Sequence, residues 1–110
     1  MMDDQNFSIK RFESVARLRE LLFGLERDLG IDTLSQNELD ILYAVRLLAV
    51  DSDGIIRSEA IRKHSLCAKI PTPTFHRGLR SLIEKGFVAR APKTRARAYV
   101  LGPRAGISHA

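Results

Sequence analysis

Nine side chains in the second half of the chain have the types and the spacing to hold a polyanion. Thr72, Thr74, His76, Arg77, Arg80 and Ser81 fall within one short stretch, and Lys93, Arg95 and Arg97 follow at alternate positions. A guanidinium presents a rigid fork of N–H donors that matches a phosphate or a guanine edge. Hydroxyls such as those of Thr72, Thr74 and Ser81 can bond phosphate oxygens or base edges. Lys93, Arg95 and Arg97 would point one way from an extended strand end, and no acid stands among them. Three like charges side by side repel, so such a tip is unfavourable for folding unless something negative meets it. The bland alternative is a solvated basic surface.

Other chemistries fit poorly. Cys67 is the only cysteine, and His64, His76 and His109 share no metal-ligand spacing with it. Asp51-Ser-Asp-Gly54 resembles the opening of a calcium loop, but the closing position is Arg62 where that loop needs Glu. No nucleophile–base pair with a recognisable spacing and no glycine-rich phosphate loop is present, so neither an enzyme nor a cofactor is expected.

The elements that must position these groups follow from periodicity. Phe75, Leu79, Leu82 and Ile83 recur at i, i+4, i+7 and i+8, the apolar stripe of a helix over 73–85. Thr72 is its expected N-cap, Pro73 its first residue, and Gly86 its left-handed close. Thr74, Arg77, Arg80, Ser81 and Glu84 are assigned to the polar side. Phe87–Ala91 and Ala98–Leu101 then read as a hairpin with a basic tip at 92–97. Upstream, Ser35-Gln-Asn-Glu38 is a capping box that opens a strongly apolar helix ending near Val50. Ile55–Arg57 is a short strand, and Ser58 is the expected cap of a short third helix. A long helix over 7–29, closed by Gly30, carries Val15, Leu18, Leu22, Leu25 and Leu29 at steps of three and four. Phe12, Leu21 and Phe23 widen its apolar surface.

Composition sets the class. The 110 residues suit one domain: the helix 7–29, a core over 35–101 and a mobile tail over 102–110. No apolar run reaches the roughly 18–20 residues of a membrane helix, and the N-terminus lacks the pattern of a secretory signal. With a single thiol, a reducing cytoplasm is the expected compartment. Net charge is +5, unevenly spread. Residues 1–57 hold 7 Lys/Arg and 11 Asp/Glu, net −4, and residues 58–110 hold 11 and 2, net +9. The basic half contains the candidate helix and hairpin, which points to a polyanionic partner.

The expected fold class is mainly α with a small β-hairpin wing, a winged helix-turn-helix with a three-helix core and a long N-terminal helix. At Thr74-Phe-His-Arg77, Leu79, Leu82-Ile-Glu-Lys-Gly86-Phe-Val88 and Arg90 the sequence resembles the MarR-type family of bacterial transcriptional regulators. The resemblance spans roughly residues 35–101. It implies that Thr72, Thr74, His76, Arg77, Arg80 and Ser81 face the DNA major groove and that Lys93, Arg95 and Arg97 lie on the wing. The family's wing usually contains an acid, absent here, and its C-terminal dimerisation helices have no counterpart after Leu101. Dimerisation would therefore fall to the helix over 7–29.

The resulting expectation is a sequence-specific double-stranded DNA-binding regulator of transcription, with double-stranded DNA and a second copy of the chain as partners and no membrane. The alternatives are a winged-helix protein-interaction module, which would want an apolar or acidic recognition face, and the DNA-binding component of a plasmid or phage replication or partition system.

Overall fold

The computed structural model describes residues 2–92 and 97–105, with side chains from residue 6 onward. Lys93 and Arg95 therefore lie outside the described residues. The chain is mainly helical with a small antiparallel sheet, in the order α1 (Met2–Asp28), α2 (Gln36–Val50), β1 (Ile56–Arg57), α3 (Ser58–Lys63), a single 3-10 turn (Ser65–Cys67), α4 (Thr72–Glu84), β2 (Val88–Arg90) and β3 (Ala98–Leu101). It divides into two units, residues 1–34 and 35–110.

The first unit is α1 and its exit. The helix begins five residues before the apolar pattern does and ends in a Schellman turn. The Gly30 N–H donates to the Arg27 carbonyl at 3.0 Å and the Ile31 N–H to the Glu26 carbonyl at 2.9 Å. Gly30 holds φ +74°, which only glycine adopts cheaply. From residue 6 on, α1 buries none of its side chains.

The second unit is built on α2. Its N-terminus is the expected capping box: Ser35 Oγ accepts from the Glu38 N–H at 3.1 Å, and Glu38 Oε1 accepts from the Ser35 N–H at 2.9 Å. Ile41, Ala44 and Val45 on α2 meet Ile61, Phe75 and Leu82 in a core where each is at most 1% exposed. Burying a large aliphatic or aromatic side chain contributes about 1.5–3 kcal/mol, so this cluster stabilises the unit far more than any surface pair. Close approach of α2 and α4 is possible because position 78 is glycine. A Cβ there would stand 2.8 Å from Ile41 Cδ1.

In the sheet, β3 lies between β1 and β2. Val88, Ala89 and Arg90 pair with Leu101, Val100 and Tyr99, while Ile56 and Arg57 pair with Tyr99 and Ala98. The Ala91 N–H donates to the Ala98 carbonyl at 2.9 Å, which carries the β2–β3 hairpin one pair further. α4 closes on Gly86, φ +86°, in a second Schellman turn: Gly86 N–H to Ile83 carbonyl at 3.1 Å, and Phe87 N–H to Leu82 carbonyl at 2.9 Å.

Three local expectations change. Thr72 is the first helical residue rather than the N-cap; Pro71 takes that place and no side chain caps the end. Ser58 likewise starts α3 instead of capping it, and its N–H donates to the Arg97 carbonyl at 2.9 Å. A side-chain cap was not needed there, because a sheet carbonyl already satisfies that first-turn donor. Finally, residues 102–104, assigned to a mobile tail, are fastened to the end of α4. Gly102 donates to the Phe87 carbonyl at 2.8 Å, Arg104 N–H donates to the Gly86 carbonyl at 3.0 Å, and the Arg104 guanidinium lies 4.6 Å from the Phe87 ring centre. Residues 106–110 lie outside the described part.

Candidate nucleic-acid interface

α4 presents two flanks and an outer edge. On the flank toward α2 stand Gly78, Ser81 and Lys85, at i, i+3 and i+7. The Ser81 hydroxyl donates to Glu38 Oε2 at 2.7 Å and Lys85 Nζ to the same oxygen at 2.8 Å. Ser81, expected on the nucleic-acid face, is thus turned to α2 and already bonded. Burial alone would raise the Glu38 carboxyl, but Lys85, the Ser35 backbone and the two serine hydroxyls outweigh it and hold the group at about 2.

The other flank faces the sheet. His76, Leu79, Arg80 and Ile83 of α4, with Arg90, Arg97 and Tyr99, line a cleft of about 440 Å³. A second cleft of about 310 Å³ is lined by Arg57, Ser58, Glu59, Arg62, His76 and Arg97. His76 and Arg97 belong to both, so the two form one basic trough running from α3 past α4 to the hairpin. Among the described residues Arg57, Arg80, Arg90 and Arg97 form no ion pair. The one acid on the trough wall, Glu59, bonds Lys63 at 2.9 Å. Arg90 sits with its guanidinium 6.0 Å from the Tyr99 ring centre, a contact that steadies the cation without neutralising it.

On the outer edge, Thr72, Arg77 and Arg80 are exposed and Thr74 is half-exposed. Arg77 Nη2 donates to Thr74 Oγ1 at 3.3 Å, which aims the guanidinium back along the first turn of α4. Of the residues singled out from sequence, the structure therefore brings His76, Arg80 and Arg97 to the trough, leaves Thr72, Thr74 and Arg77 on the open edge beside it, and takes Ser81 away.

Arg57, Arg62 and Arg90 also line the trough, although the sequence pattern does not single them out as contact residues. Arg57 alternates with the buried Ile56 and so points outward, and pairing opposite Ala98 sets it beside Arg97. That signal was in the sequence once β1 was paired with the last strand. Arg90 shares the face of Val88, two residues nearer the hairpin tip.

Cys67 offers no competing chemistry. It is 2% exposed, its Sγ lies 3.8 Å from the Asp40 carbonyl, and burial with the Asp40 charge pushes the thiol up to about 11. Among the described residues no helix is long and apolar enough to cross a membrane. Compared with known proteins, the chain matches no family, and no curated protein or solved structure is significantly similar to it.

Proposed function

We propose that residues 35–101 form a winged helix-turn-helix that binds double-stranded DNA, as a sequence-specific regulator of transcription. In this reading α3, the 3-10 turn and α4 are the helix-turn-helix, α4 lies in the major groove, and β2–β3 is the wing on the minor groove or backbone. The observation that carries it is the trough of arginines without carboxylate partners between α4 and the sheet. Unpaired cations of one sign held together by a rigid scaffold are costly alone and favourable against a phosphate chain.

Roles divide by position. Arg77, held by Thr74 on the open edge, would read a base edge. Thr72 and Thr74 with the free N–H groups of the first turn would hold a phosphate. Arg57, Arg80, Arg90 and Arg97 would grip the backbone. Selection of bound duplexes from a random pool, followed by binding titrations, tests this. Arg77→Ala should cost about 1–3 kcal/mol on the selected duplex and little on random DNA. Arg90→Ala should weaken both alike and make the salt slope shallower by about 1. Equal losses on both duplexes for both variants would remove the division of roles. No retardation of any duplex at low salt would remove the DNA reading and favour a protein-interaction module.

A further inference from the structure

α1 is the one described helix that covers nothing in its own unit. Phe12, Val15, Leu18 and Leu21 are 60–77% exposed, and Leu22, Leu25 and Leu29 are 40–70% exposed. Val15, Leu22 and Leu29 occupy one heptad position and Leu18 and Leu25 the other, so the five make a single straight seam. We infer that this seam is the contact of a second copy of the chain, in a parallel, in-register pair of α1 helices.

Area supports the pairing. A large apolar side chain removes about 60–120 Å² from water when buried. The five seam residues with Phe12 and Leu21 then give roughly 800–1,700 Å² over two copies, which overlaps the size of a stable protein interface. The pairing of the seam sets the orientation. In the parallel pair each of the five seam residues faces its own apolar counterpart, and the flanking contacts are Ser14 with Arg19 and Leu21 with Glu26 of the second copy. Arg11, one heptad before Leu18 with its guanidinium 4.4 Å from its own Phe7 ring centre, meets Arg11 of the second copy. An antiparallel pair that sets Val15 against Leu25 and Leu18 against Leu22 sets Leu29 against Arg11 and Arg19 against Arg19 of the second copy. The antiparallel register that puts Arg19 opposite Glu26 instead leaves Val15 and Phe12 unpacked. The parallel pair and the first antiparallel pair each carry one like-charge contact, and only the parallel pair sets all five seam residues against apolar partners.

The proposal does not rest on DNA binding, and its test contains no DNA. Sedimentation of the full chain should give twice 12.4 kDa. Leu22→Asp should give the monomer mass while the near-UV spectrum and thermal unfolding of residues 35–110 stay unchanged. Val15→Cys should oxidise to a disulfide-linked dimer. In either antiparallel register the two introduced thiols would lie 10 or more residues apart along the helix, about 15 Å or beyond, out of reach of each other. The native chain, whose only thiol is the buried Cys67, should not cross-link. A monomer at tens of micromolar overturns the proposal, as would a dimer that survives Leu22→Asp. A dimer in which Val15→Cys does not cross-link overturns the parallel register.

Discussion

Glu38 uses both carboxylate oxygens, one to close the start of α2 and the other to tie it to Ser81 and Lys85 on α4. Its pKa falls from 4.5 to about 2, a difference worth about 3 kcal/mol as an order of magnitude, for a side chain only 10% exposed. The folded value lies below the unfolded one, so the stabilisation is complete above about pH 4.5 and is lost as pH falls toward 2. Urea titrations of the native chain and of Glu38→Gln should show it. The variant should be less stable by about 2–3 kcal/mol at pH 7 and should nearly match the native chain at pH 2. Parallel stability–pH curves for the two would mean that the carboxylate is not the link. Half of this residue's role was legible in sequence and half was not. The capping box is a contact over three residues and reads directly from Ser35 and Glu38. The bonds to Ser81 and Lys85 span 43 and 47 residues. Helix arithmetic could place Ser81 on a polar flank but could not say that α2 would occupy that flank.

Among the elements, those with periodic apolar faces and a terminating glycine were legible to within a few residues: α2, α4 and the close of α1 on Gly30. What sequence could not supply was which cations converge, since Arg57 joins the trough only through its pairing opposite Ala98. The α2–α4 contact is likewise a tertiary fact with a local trace, the glycine at position 78 inside an otherwise good helix. Two effects oppose each other there. Gly78→Ala should favour the helix by about 1 kcal/mol, while its methyl group would meet Ile41 Cδ1 at 2.8 Å. Ile41 is fully buried and cannot swing into solvent, so overpacking by about 1–3 kcal/mol should prevail. Net destabilisation of about 1 kcal/mol is expected from thermal unfolding. Ile41→Val removes the clashing atom, so the double variant should be more stable than the sum of the single effects by 1 kcal/mol or more. Strict additivity would mean that α2 and α4 do not touch at this point.

For the molecule as a whole, charge and greasy surface are segregated along the chain. Residues 35–110 hold 13 Lys/Arg against 6 Asp/Glu, net +7, and residues 1–34 hold 5 against 7, net −2. If the basic unit binds DNA and the α1 seam pairs two chains, salt dependence reports both at once. About six cations per unit, each neutralising a phosphate, give a slope of log K against log salt near −5. A duplex with one selected site should show that slope for the native chain and for Leu22→Asp alike. On a duplex with two such sites in the spacing that selection returns, the native dimer should bind in one step with a slope near −10. Leu22→Asp should still bind as independent units near −5. A slope shallower than −2 on the single site would mean that the arginine trough does not lie on phosphates. A native slope that stays near −5 on the double site would mean that the two copies, even if joined, do not read DNA together.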